Sequence, residues 1–188
     1  MPRLDSVLTL LVAIGLLLVS TAVMADDKAA TRDALRQMRK ETLDQLYKEN
    51  PQARSQIRSA AGYAVFEVAG VHILFLGGSG GRGIVKDNLT GRDTYMNMGA
   101  VAGGLGVGFQ DTRTVLIFKN RKILKDFLEK GWTFGGDARI TAQVDGKGGS
   151  VGELETPEGI IIYQLTQAGL SAKATVQGTK FWRDPDLN

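Results

Sequence analysis

The sequence predicts an α+β domain in which N-terminal helices precede a strongly curved, mostly antiparallel sheet or small barrel with one inserted helix. Three observations predict it. Of the 24 glycines, all but Gly15 lie between Gly62 and Gly178. Residues 27–60 contain no Gly and are rich in Ala, Arg, Lys, Gln, Glu and Leu, which lose little on entering a helix. From Gly62 onward, short β-branched and aromatic runs alternate with Gly, Asn and Asp, the sequence form of strands and turns. Glycines inside strands mark bulges, coiling or close backbone approach, so their abundance favours a curved sheet. A chain of 188 residues is expected to form one domain.

The elements follow in order. Residues 1–25 read as a secretory signal peptide. Arg3 lies in a short polar start, an apolar run extends from Val7 to Val19, and Val23 and Ala25 supply small residues before a cut at Ala25. The alternative is an N-terminal membrane anchor, because Val7–Ala25 approaches the ~20 residues that span a bilayer. Cleavage places the protein in the periplasm or cell envelope. Residues 26–61 form a helical lead-in. Its first helix is expected over about 28–49, with Ala34, Leu35, Met38, Thr42 and Leu46 on one arc. Asn50-Pro51 ends it and starts a second helix running to about Ala60, since Asn is a good N-cap and Pro suits the first helical position.

Residues 62–188 form the glycine-rich β body. Strands are expected near 63–68, 71–77, 82–87, 93–101, 104–110, 113–119, 133–144, 150–155, 159–165 and 169–178, with turns at Asp87-Asn88, Asp111-Thr112 and Asp145-Gly146. One helix, 120–130, interrupts them. Asn120 caps it, Ile123, Leu124, Phe127 and Leu128 form its apolar face, and Gly131 stops it.

Composition removes many chemistries. The absence of Cys excludes disulfides, thiolate nucleophiles, Cys-ligated zinc and iron–sulfur clusters, and one His, His72, excludes a two-histidine metal motif. No cofactor is expected. Gly78-Ser79-Gly80-Gly81-Arg82-Gly83 has the G-x-G-x-x-G form, but Ile84-Val85-Lys86 continues as strand where a dinucleotide site needs a helix. Gly77–Gly81 also has the G-x-S-x-G form. Its base normally follows the serine, whereas His72 precedes Ser79, so a serine hydrolase using Ser79 and His72 is the weakest functional reading. A glycine-bearing turn explains both matches.

Charge points to binding. The net charge is +3. Arg32, Arg36, Arg39 and Lys40 recur at helical spacing, and Lys119, Arg121, Lys122, Lys125 and Lys130 mark the 120–130 helix. Basic amphipathic helices suit anionic lipid, each Lys or Arg near the surface contributing ~1 kcal/mol. Asp33, Glu41, Asp44, Asp126 and Glu129 dilute both segments, so a solvated helix face is the competing reading. The export leader and the lack of interleaved aromatics argue against nucleic acid.

Asn50-Pro51, Gly62-Tyr63-Ala64-Val65-Phe66, Gly77–Gly83, Gly104–Gln110, Val115–Phe118 with Asn120, Leu124 and Phe127, Trp132–Ala138, and Tyr163–Gly178 follow one another along the chain. In that order, over about residues 50–188, they resemble the SYLF lipid-binding domain family. Glu67 stands where the family commonly has Pro. The resemblance implies a compact α+β domain that binds phospholipid, phosphoinositides being the ligands of eukaryotic members. The resulting expectation is a non-enzymatic envelope protein that recognises anionic phospholipid headgroups. Attraction would come from Lys119, Arg121, Lys122 and Lys125 with Arg32, Arg36, Arg39 and Lys40, and backbone N–H groups of a turn at Gly78, Ser79, Gly80, Gly81 and Arg82 would approach the headgroup. The alternative is an envelope structural or interaction module with a protein partner.

Overall fold

A computed structural model describes residues 4–73, 76–103, 108–134, 153–166, 169–170 and 179–188, and among these the side chains outside 4–26, 71–77, 101–110, 134 and 154. Three helices and a strongly curled, half-barrel antiparallel sheet make up the fold. Helix α1 (Leu4–Glu49) joins the expected leader and the expected first helix in one element. The leader itself falls on residues whose side chains lie outside the described ones. Leu35, Met38, Thr42 and Leu46 are buried at helical spacing, whereas Ala34 is exposed and leaves the arc. Helix α2 (Gln52–Ser59) starts as expected: the Asn50 side-chain oxygen accepts from the Gln52 N–H at 3.1 Å, and the Asn50 carbonyl accepts from the Ala53 N–H at 3.1 Å. Helix α3 (Arg121–Lys130) is also as expected, with Asn120 accepting from the Ile123 N–H at 3.0 Å and Gly131 in the left-handed region at φ +70°.

The strands are β1 (Gly62–Ile73), β2 (Leu76–Asp87), β3 (Asp93–Gly103), β4 (Gly108–Phe118), β5 (Trp132–Phe134), β6 (Glu153–Glu155), β7 (Ile160–Thr166), β8 (Gly169–Leu170) and β9 (Thr179–Arg183). Their order is β5-β9-β3-β2-β1-β4-β7-β6, with β8 on β7 and all pairs antiparallel. Among the described residues β5 and β6 do not pair, and the strongly curled sheet is a half-barrel.

Three local expectations are corrected. The runs 63–68 and 71–77 read as two strands, yet 62–73 is one continuous strand, paired with β2 as far as Ile73–Leu76. The glycine segment 77–83 is therefore strand, not turn, paired with β1 on one side and β3 on the other. Asp111-Thr112 likewise lies inside β4, opposite Ala69-Val68. Glycine and Asp mimic turns in a linear reading, but ladder bonds on both sides outweigh those local preferences. Strand β9 was not foreseen, and the expected strands 133–144, 150–155 and 169–178 lie partly outside the described residues.

Both faces of the central strands are buried. Phe66, Val85, Met96, Leu116, Phe118, Ile160, Ile162 and Phe181 face α3, while the alternate positions Val65, Ile84, Tyr95, Val115, Ile117, Ile161 and Tyr163 face α1 and α2. This is the period-2 alternation of a strand used as the middle layer. Phe66, Phe118, Phe127 and Phe181 form one aromatic cluster, with centroid separations of 4.8 Å for Phe66–Phe181 and Phe118–Phe127 and 5.4 Å for Phe127–Phe181. On the other face the Tyr163 hydroxyl ties layers together, bonding the Gln56 and Glu153 side-chain oxygens at 2.7 and 2.8 Å and the Asn50 amide at 3.2 Å.

Gly83 lets the Phe66 ring lie against bare backbone, because a Cβ there would enter the ring. Phe66 is fully buried and has no direction in which to yield. Gly83→Ala is therefore expected to cost about 1–3 kcal/mol by overpacking, outweighing the gain in backbone rigidity. Urea unfolding would measure it, and an unchanged or raised midpoint would contradict the packing account.

Candidate functional site: a basic end of the sheet

Strands β9, β3 and β2 are neighbours, so the end of β9 at Arg183, the start of β3 at Asp93 and the end of β2 at Asp87 lie together. Helix α1 crosses one face of this end and α3 the other. Between them run two adjoining concavities. One, of about 460 Å³, is lined by Arg32, Arg36, Arg92, Tyr95, Arg183 and Asp93 among others. The second, of about 280 Å³, is lined by Asp87, Arg121, Lys125, Glu129, Arg92 and Arg183 among others. Arg92, Thr94 and Arg183 wall both. The first cavity holds four guanidinium groups and one side-chain carboxylate.

Ion pairing divides the basic residues. Asp93 is a hub, with Arg39 at 2.7 Å, Lys86 at 3.3 Å and Arg36 at 3.7 Å. Burial pushes the Asp93 carboxyl up, but the Arg39 hydrogen bond and the charges of Arg39 and Lys86 more than reverse this and hold it low. Asp87, with its side chain only 7% exposed, takes both arms of Arg121 at 2.5 and 2.7 Å and accepts from the Leu89 and Thr90 N–H groups. The Arg121 hydrogen bonds, and then the turn amides, hold its carboxyl well below the usual carboxylate range. Arg32 donates to the Leu187 carbonyl at 2.9 Å and lies over the Tyr95 ring at 5.9 Å. The exposed guanidinium groups of Arg92 and Arg183 have no ion pair among the described residues.

The expected site residues therefore separate into groups. Arg32, Arg36, Arg121 and Lys125 meet at the basic end, and Arg39 stands behind it on Asp93. Lys40 points outward and pairs with Asp44 at 2.9 Å; Lys119 pairs with Glu155 at 2.8 Å; Lys122 and Lys130 share Asp126, holding its carboxyl at about 2. Gly80, Gly81 and Arg82 line a different pocket of about 540 Å³ under α1, whose charged side chains Arg82, Arg113, Glu67 and Asp111 balance. Gly78, Ser79, Gly80 and Gly81 are interior to a strand paired on both sides, so their backbone amides serve the ladder instead of forming an anion-binding turn. Ser79 pairs with Gly70, and the chain continues as strand to Asp87 without the strand-to-helix turn of a nucleophile elbow. The His72 side chain lies outside the described residues.

Arg92 and Arg183 were missed, and no linear signal marks them. Residues 32, 92, 121 and 183 have no common spacing; only the adjacency of β9, β3 and β2 unites them.

The fold and this end of the sheet can be compared with known proteins. Residues 99–188 match the family model described as Ysc84, Las17-binding protein actin regulator. This part of the chain, just under half of it, is thus similar to the Ysc84 (SYLF) domain. The matched part contains α3 and β4–β9 but neither β1 nor β2, the strands that join β3 to β4, so the folded unit is larger than the match. The chain is also 30% identical over 156 residues to Beta cell expansion factor A of Aeromonas veronii. That alignment covers 83% of this chain, and the chain spans 58% of the relative's length.

The Asp87–Arg121 pair has a pH signature. A carboxyl depressed on folding adds stability above its unfolded pKa of about 4, and that stability is lost as pH falls through the folded value. Asp87→Asn is expected to lower the urea midpoint at pH 7 and to flatten its decline below about pH 4. An unchanged acid limb would show that the pair contributes nothing to stability.

Proposed function

We propose that this protein is a non-enzymatic cell-envelope protein that binds anionic phospholipid headgroups at the basic end of its sheet. One observation carries the reading: four arginines face one side-chain carboxylate in a single cavity, and two of them, Arg92 and Arg183, are exposed without an ion pair among the described residues. Guanidinium groups offer forked donors that match phosphate geometry. Arg32 is held by the Leu187 carbonyl, Arg36 by Asp33 and Asp93, and Arg121 by Asp87, so the array is largely preformed. Binding rather than catalysis follows the class of the matched domain. The leader at 1–25 supports export. The name of the matched family points to a protein ligand, and an acidic protein surface in the envelope is the second reading because the same arginines would meet carboxylates.

Co-sedimentation with vesicles decides between them, using protein purified from an exporting host. The Arg92→Ala/Arg183→Ala double variant should partition about thirtyfold less onto vesicles containing anionic lipid at low salt, at ~1 kcal/mol per arginine. Lys122→Ala, on the outer face of α3, should change it far less. Equal binding to neutral and anionic vesicles, or insensitivity to salt, would exclude the electrostatic reading.

A further inference from the structure

We propose that the turn between β2 and β3 is a membrane-entering tip, with Leu89 as an apolar wedge that enters the interface of an anionic bilayer while the surrounding cations hold its phosphates. This deepens the lipid-binding reading and rests on it. Leu89 is 79% exposed, the more exposed of two large apolar side chains so displayed among the described residues; the other, Trp182, lies against Gly99 on the body of the sheet. Residues 88–92 are all exposed.

The turn is built to hold Leu89 outward. Its backbone N–H donates to Asp87 at 2.9 Å, so the main chain makes the turn and the side chain takes no part. The Thr90 N–H donates to the same carboxylate at 3.1 Å, the Gly91 N–H donates to the Asp87 carbonyl at 2.9 Å, and Gly91 adopts φ +70°. Asn88 donates to the Ile57 and Ala60 carbonyls at 2.7 and 3.0 Å, fastening the turn to the end of α2. Lys86 donates to the Gly91 carbonyl at 2.5 Å, and Arg121 grips Asp87 at the root. A rigid tip enters a bilayer without a further ordering cost.

A single exposed leucine is ordinary on a protein surface. The surroundings set this one apart. Lys86, Arg92 and Arg121 stand at the base of the turn; with Arg39 they outnumber its two acidic neighbours, Asp87 and Asp93, and Arg92 has no ion pair among the described residues. The tip therefore presents an apolar point within a positive collar. That complements a bilayer whose phosphates lie outside its acyl region, since apolar insertion and attraction to anionic lipid add.

The chain has no Cys, so Leu89→Cys carrying a polarity-sensitive dye reports on one position alone. Lys48→Cys, near the opposite end of the sheet where Glu49 meets Leu170, is the control. With anionic vesicles, the emission from position 89 should shift to the blue and be quenched by a lipid-borne quencher, while that from position 48 should not change. Leu89→Ser should weaken partitioning about tenfold, the scale of losing most of a buried leucine, with an unchanged thermal midpoint. If the unsubstituted protein sediments with anionic vesicles but the dye at 89 keeps its aqueous emission, or Leu89→Ser binds equally well, the wedge is overturned and the lipid reading stands. If the unsubstituted protein does not sediment, the lipid reading fails and the wedge falls with it.

Discussion

The contact between the Phe66 ring and the bare backbone of Gly83 positions much of the rest. Because β2 carries no side chain there, Phe66 lies low on the sheet and still reaches Phe181 and Phe127. Phe127 belongs to α3, so this packing sets where the helix rests. The position of α3 puts Arg121 within reach of Asp87, and that pair organises the turn after β2. A local steric permission in the core is thus transmitted to the charged end of the sheet.

The sheet is the middle of three layers, and this explains a charge pattern that would otherwise look contradictory. The cations on α1 and α3 belong to helices on opposite faces. They become neighbours only at the end of the sheet, where both helices pass the strand termini. Carboxylates at those termini, Asp87 and Asp93, neutralise part of the charge and fix its geometry. What remains is positive because Arg92, just before β3, and Arg183, at the end of β9, have no ion pair among the described residues. Exposed pairs such as Lys40–Asp44 and Lys122–Asp126 contribute little to stability and use up the cations that a linear reading favoured.

Much of the fold was legible. Both helix starts at Asn50 and Asn120 and the stop at Gly131 depend on interactions within a few residues, and the structure keeps them. The apolar arc of α1 held apart from Ala34, which is too small to mark a face. Strand extents were less legible. Gly77–Gly83 and Asp111-Thr112 have turn composition, yet they lie in ladders whose partners are remote in sequence or across a hairpin. Of the candidate site, Arg32, Arg36, Arg121 and Lys125 were named and do meet, while Lys40, Lys119 and Lys122 face elsewhere. Helical spacing says which side chains share a face and nothing about what that face meets.

By itself the sequence determined the class of domain, the order of helices and strands, and the absence of thiol chemistry, because composition, periodicity and capping are local properties. Its spaced glycine and aromatic landmarks also carried the family resemblance that the comparison bears out over residues 99–188. Only the tertiary structure decided that residues 32, 36, 92, 121 and 183 form one basic end and that the glycine segment is a strand paired on both sides. The reason is that strand order is a long-range property. β9 lies beside β3 through hydrogen bonds between residues about 80 apart in the chain, and no periodicity within either segment records that neighbour.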